Sequence, residues 1–286
     1  MSRRRVPKRP LNRPRGMALA GLTLLAIFVI MAVIGPYIAP YNPSATSTDI
    51  LAGPSAQHLL GTTQTGQDVL SQLLAGSRAT LLVGLIAGLI ATSLAIIVGL
   101  AGGYLGGLAD EGLSLLSNVF LVLPTLPLII VLSGYLKNSS ALSVAVVISV
   151  TGWAFGARIL RAQTLSIAQR DFIKAARARG ENLPRIILLE IMPNELGIVA
   201  SSFLLTVVFA ILTAASLAFL GLGSLSAWSW GTMLYWAENA EAFTIGAWWW
   251  YAPPGICIAL VGTALGLLNF SLDKRLNPRL RDGGVR

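Results

Sequence analysis

Six long apolar stretches, separated by short polar or glycine- and proline-rich segments, set the layout of this 286-residue chain. They run near 17–39, 79–105, 113–135, 141–160, 195–222 and 247–270. Each approaches or exceeds the roughly 20 helical residues needed to cross a hydrocarbon core. Gly99 to Gly107 and Leu123 to Pro127 interrupt the middle stretches, yet Gly and Pro are tolerated in membrane helices because neighbouring helices re-satisfy the backbone. The pattern predicts an all-α polytopic membrane protein with six transmembrane helices. It divides the chain into a basic tail at 1–16, a first helix at 17–39, an external loop at 40–77, a five-helix core at 78–270 that carries an internal loop at 161–194, and a second tail at 271–286.

Composition agrees with that class. Hydrophobic residues make up 55% and charged residues 12% of the chain, whereas soluble domains carry roughly 25% charge. The net charge of +9 could indicate a nucleic-acid binder, so the placement of the charges decides. Seven basic residues (Arg3, Arg4, Arg5, Lys8, Arg9, Arg13, Arg15) precede the first stretch, seven (Arg158, Arg161, Arg170, Lys174, Arg177, Arg179, Arg185) end or follow the fourth, and five follow the sixth. Only Arg78 and Lys137 fall elsewhere. With six spans, nineteen of the 21 basic residues lie on one side, which is the excess left on the cytoplasmic face of membrane proteins. Both termini and the 161–194 loop are therefore expected in the cytoplasm, with membrane lipid and not nucleic acid as the partner of the charge. The basic start and long apolar run read as a retained signal anchor, since the run exceeds the length of a cleaved signal's apolar core.

On the opposite side, turn formers Pro40, Asn42, Pro43, Gly53 and Pro54 open the first external loop, and Ser224 to Gly246 forms a second. His58 in the first loop reads as a solvated side chain, and Trp248 to Tyr251 as an aromatic belt at the membrane interface. Cys257, the single cysteine, reads as an apolar filler; one Cys and one His exclude a disulfide framework and a Cys/His zinc site.

Ionisable residues inside a bilayer are costly and usually functional. The span interiors hold none: Asp110, Glu111, Arg158 and Glu195 fall at span ends. This disfavours an independent channel or ion-coupled secondary transporter. No phosphate-binding loop, nucleophile elbow or zinc helix motif occurs, so neither an ATPase of that kind nor an intramembrane enzyme is indicated.

The segment Asp171 to Asn194 (DFIKAARARGENLPRIILLEIMPN) carries the most specific signal. Ala175 to Arg179 favours helix, Arg177 and Arg179 suit the negative end of its dipole, and Gly180 stands where a left-handed cap would stop it. Pro184 then suits the first turn of another short helix with Ile186, Ile187 and Ile191, and Pro193 is expected to end that segment before the fifth span. Two short helices joined at a glycine form a knob with small alanine faces, shaped to enter a groove on a partner.

This segment resembles the EAA loop of the membrane subunits of ABC importers, with Ala175, Ala176, Gly180 and Pro193 matching the motif. Lys174 replaces the acidic residue of the motif, and Glu190 the histidine common before the proline. Other stretches resemble the second ("C"-type) permease of dipeptide, oligopeptide and nickel importers, in order and across nearly the whole chain. They are HLLGTTQTGQDVL at His58 to Leu70, with Thr63 and Gln67 in place of the usual Asp and Arg, ASLAFLGLG at Ala215 to Gly223, Ser229-Trp230-Gly231, WWYAPPG at Trp249 to Gly255, and Asn277-Pro278-Arg279-Leu280.

The resemblance implies the type I importer permease fold in a bacterial or archaeal cytoplasmic membrane. It implies a non-catalytic subunit that forms half of a pathway for peptides, with nickel chelates or oligosaccharides as alternative cargo. The implied partners are a second homologous permease, one or two ATPase subunits that bind ATP and Mg, and an extracytoplasmic substrate-binding protein; the chain itself is expected to carry no cofactor. It also implies that Lys174, Ala175, Ala176, Arg177, Ala178, Arg179, Gly180 and Pro193 form the coupling element that docks on the ATPase, with no catalytic or metal-binding residue.

Overall fold

The computed structural model describes residues 13–135 and 140–276, with side chains from Gly16 to Lys274. The tail before Arg13, Lys137 and the Asn277–Leu280 motif lie outside the described residues. The elements are α1 (Arg13–Ile38), α2 (Val69–Leu105), α3 (Gly107–Val122), α4 (Thr125–Gly134), α5 (Ala141–Ala168), α6 (Asp171–Ala178), α7 (Leu183–Arg185), a π-helical turn (Ile186–Ile191), α8 (Met192–Phe219), α9 (Trp230–Asn239) and α10 (Trp248–Leu276). Among the described residues there is no strand, only an isolated bridge between Thr62 and Asp68.

Five helical segments are long and apolar enough to cross a membrane: α1, α2, α5, the run from α7 through α8, and α10. A sixth exists if α3 and α4, bent by 88° against each other, are taken as one broken span. The span expected at 113–135, interrupted at Leu123 to Pro127, is thus two helices that bend at that interruption. Pro124 and Pro127 cannot donate to the carbonyls of Phe120 and Leu123, and a residue before proline is driven out of the helical region. Leu123 accordingly has ψ 131° and Pro124 ψ 112°, so the chain turns there.

Helix α2 starts at Val69, ten residues before the expected start at Ala79. Asp68 caps it, its Oδ2 accepting from the backbone N–H of Ser71 at 2.8 Å, so the polar residues Ser71, Gln72 and Ser77 are helical despite their low hydropathy. At 37 residues it is about 55 Å long, more than the hydrocarbon thickness. It is also the centre of the bundle. Ala87, Ala91, Ala95, Gly99 and Gly103 recur every four residues on the face that meets α5, the small-residue spacing that lets membrane helices approach closely. A Cβ on Gly99 would stand 2.7 Å from the carbonyl oxygen of Ala157, and one on Gly103 2.6 Å from Cβ of Thr164. Gly84 and Gly88 on a neighbouring stripe face Ile211 and Val207 of α8.

At one end of the bundle, residues 39–68 fold onto the start of α2 and the start of α10. His58, expected to be solvated, is 7% exposed: Nδ1 lies 2.9 Å from Oδ1 of Asp68, and Tyr41 lies against its ring. The aromatic run also departs from a lipid belt. Trp250 is buried, and the indole N–H of Trp249 donates to the carbonyl of Thr62 at 3.2 Å, so these rings fasten the loop and only Trp248 is exposed. Ser229 and Thr232 form a capping box at the start of α9. The buried Trp230 donates from its indole N–H to the carbonyl of Leu73 at 3.1 Å. Cys257 packs at the edge of the same apolar cluster.

Candidate functional site

The loop between α5 and α8 sits at the other end of the bundle, beside the last turn of α2. Helix α6 has one apolar stripe: Ile173 and Ala176, three residues apart, face inward and are sealed against Ile186 and Ile191 of the π turn, with Tyr104 of α2 and Ile167 of α5 packed around them. The helix ends in a Schellman motif at Gly180, which has φ +77°. The N–H of Glu181 donates to the carbonyl of Ala176 at 3.2 Å and that of Gly180 to Arg177 at 3.0 Å. Nothing lies within 4 Å of where a Gly180 side chain would begin, so the glycine is required by the backbone and not by crowding.

Asn182 then caps α7, accepting from the backbone N–H of Arg185 at 3.3 Å, with Pro184 in the first turn as the sequence predicts. Pro193 does not end this segment. It stands in the first turn of α8, and the preceding turn widens to the π pattern, the N–H of Met192 reaching the carbonyl of Ile187. That wider turn falls where the missing proline N–H prevents the α pattern from continuing unbroken. From α7 onward the loop is thus one helical run with α8.

Of the eight predicted site residues, Lys174, Ala175, Arg177, Ala178, Arg179 and Gly180 are exposed together on the outer faces and tip of α6. Ala176 is inward, part of the seat and not of the outer surface, and Pro193 is exposed at the base of α8. Arg177 stacks over the Tyr104 ring with its guanidinium carbon 4.6 Å from the centroid, and its Nε–H donates to the Tyr104 hydroxyl at 3.0 Å. Arg179 donates twice to Oε1 of Glu181, at 3.0 and 2.7 Å. Lys174 pairs with Asp171 at 3.3 Å in an exposed i, i+3 contact.

Two buried or partly buried polar contacts that sequence reasoning did not single out hold the seat in place. Arg161 of α5 grips Asp110 in the first turn of α3 through Nε and Nη2, the second contact at 2.6 Å. Thr164 of α5 donates to Oε1 of the fully buried Glu195 of α8 at 2.8 Å. The sequence places Asp110 and Glu195 at span ends, but only the extension of α5 to Ala168 brings their partners alongside.

The loop thus presents a short exposed helix rooted in α2, α5 and the run into α8. Residues 91–282 match the family model described as the binding-protein-dependent transport system inner membrane component, and residues 15–54 match the N-terminal TM domain of oligopeptide transport permease C. The chain belongs to this permease family. It is 35% identical over 267 residues to the dipeptide transport system permease protein DppC of Bacillus subtilis, covering 93% of this chain and 82% of the relative. It is 32% identical over 290 residues to the oligopeptide transport system permease protein OppC of Mycobacterium tuberculosis, covering 100% and 98%. It is 32% identical over 273 residues to the di/tripeptide transport system permease protein DppC of Pseudomonas aeruginosa, covering 93% and 89%. The family assignment agrees with the all-α membrane architecture and makes the chain a multi-pass inner-membrane permease subunit of a binding-protein-dependent ABC transport system. The family match covers the loop from α6 to α8, the small-residue faces of α2 from Ala91 onward, and the Asp110–Arg161 and Thr164–Glu195 contacts.

Proposed function

We propose that this permease subunit forms half of a pathway for peptides and transmits ATP hydrolysis in partner subunits to that pathway through α6. The observation that carries the coupling role is the division of α6 into two faces: an inner stripe locked onto α2, α5 and the π turn, and an outer surface of Ala175, Ala178, Lys174, Arg177 and Arg179 ending at Gly180. Small side chains allow close approach of a partner, and the inner lock converts a push on α6 into movement of α8 and α5 rather than bending of a free loop.

The partners proposed are a second homologous permease, one or two ATPase subunits that hold ATP and Mg, and an extracytoplasmic substrate-binding protein; the chain itself does no bond-making chemistry. The α6 end and both termini are assigned to the cytoplasm, which the distribution of basic residues supports. Peptide as cargo is supported by the printed names of the relatives, dipeptide, di/tripeptide and oligopeptide permeases.

The test is uptake by the complete complex reconstituted in proteoliposomes. Radiolabelled tri-alanine is expected to accumulate only when ATP stands on the α6 side and loaded binding protein on the other. Accumulation driven by an ion gradient without ATP would contradict the proposal; ATP-driven uptake of a nickel chelate or an oligosaccharide, but no peptide, would retain the mechanism and change the cargo.

A further inference from the structure

At the end of the bundle opposite α6, the 39–68 loop and the 220–229 segment that leads into α9 border an open cavity of about 320 Å³. Three indoles (Trp228, Trp236, Trp250) and three glutamines (Gln64, Gln67, Gln72) form most of its wall, and no charged side chain lines it. Part of the wall is fixed in advance. The Gln72 side-chain amide donates to Oε1 of Gln67 at 2.8 Å, the Gln67 amide to the Ser44 carbonyl at 3.4 Å, and the Trp228 indole N–H to the Ser44 hydroxyl at 3.0 Å. Other groups are left without partners among the described residues: the side-chain amide of Gln64, the indole N–H of Trp236, and the indole N–H of Trp250, a residue only 2% exposed. Gln64 and Trp236 are exposed and the Trp250 N–H is not sealed from solvent, so these donors are free to meet a molecule held in the cavity.

We infer that this cavity is an entry subsite that holds an uncharged backbone segment of a peptide between indole faces as it leaves the binding protein. The inference rests on the peptide reading above. A carboxamide offers both a donor and an acceptor, so Gln64 pairs with either side of a peptide group, while the indole N–H of Trp250 meets a carbonyl oxygen. The flat faces of the indoles cover the peptide plane and small side chains. Because the wall has no counter-ion, the charged ends of a peptide find no partner here. The subsite therefore selects for backbone and not for terminal charge, a property suited to a system whose cargo varies in sequence.

The experiment uses the purified whole complex without binding protein, titrated by equilibrium dialysis with radiolabelled tri-alanine and with its acetylated, amidated form. Both forms are expected to bind with similar affinity, and Gln64→Ala and Trp236→Ala, both exposed positions, are each expected to raise Kd about five-fold or more for both. Uptake in proteoliposomes should show a matching rise in KM with kcat little changed, and the binding protein's own affinity for tri-alanine is untouched. Binding of the free peptide alone, binding of neither form at saturating concentration, or unchanged Kd in both variants would overturn the subsite. A wild-type complex that imports no peptide at all strikes the cargo reading instead, so the two failures are distinguishable.

Discussion

Ala176 and Ala178 are chemically identical and two residues apart, yet they face opposite ways. Ala176 is sealed under α6 against Ile173, Ile186 and Ile191, while Ala178 lies on the outer surface. Ala176→Glu should bury a carboxylate with no partner, at a cost of several kcal/mol, and loosen the whole loop. Ala178→Glu should leave the fold intact and weaken only the proposed contact with the ATPase subunit. Limited proteolysis and thermal unfolding of the purified subunit check this: the first variant is expected to be cut faster within 171–191 and to unfold earlier, the second to match wild type in both. Equal stability of the two would mean that α6 is not seated as described. The motif from Ala175 to Gly180 was legible in the sequence, and so was the left-handed cap, because only glycine suits that turn. Which alanine points inward was not legible, since alanine carries too little hydropathy to mark a face. His58 and Trp249 were misread for a related reason: a polar or amphipathic side chain in a loop looks solvated or interfacial until the loop is seen folded back on Asp68 and Thr62.

At the scale of elements, the apolar runs located the helices but not their ends or their directions. Hydropathy averages over Leu123 and Pro124 without registering that Pro124 and Pro127 remove two successive chances to continue the helix, so α3 and α4 read as one span. It also stops short at polar residues that are nonetheless helical, which is why the start of α2 and the end of α5 each extend beyond the sequence estimate by eight residues or more. The four-residue recurrence of alanine and glycine on α2 is present in the sequence, but spacing alone does not say which helix fills it. The structure assigns α5 to it. Gly99→Leu should therefore force α2 and α5 apart, with over-packing of roughly 1–3 kcal/mol, whereas Gly112→Leu on α3, where nothing lies within 4 Å of a Cβ, should be neutral. Thermal unfolding in mild detergent distinguishes them: the expected result is a lower Tm for the first variant only, and an unchanged Tm for Gly99→Leu would argue against the close α2–α5 contact.

Across the whole molecule, two structured ends are joined by a common helix. The end formed by residues 39–68 and α9 packs on the start of α2 through Trp230 and Thr80, and the α6 end packs on its last turn through Tyr104. Displacement of either end therefore bears on the same helix and, through its small-residue faces, on α5 and α8. The family and the membrane architecture followed from motifs in order along the chain; the way the ends connect depends on contacts such as Asp110–Arg161 and Thr164–Glu195, which join residues far apart in sequence. The central claim is that the outer surface of α6 is where the ATPase subunit docks. Because Cys257 is the single cysteine, a Cys257→Ser background carrying Ala178→Cys places one thiol on that surface. Cross-linking of this thiol in the assembled complex with a short homobifunctional thiol reagent, to single cysteines introduced across the ATPase surface in a cysteine-free ATPase background, measures the contact directly. The account predicts a cross-linked permease–ATPase product at Ala178→Cys whose yield changes when ATP is bound, with none at an Asp49→Cys control at the opposite end. No product from Ala178→Cys with any ATPase position in a complex that still transports would contradict it.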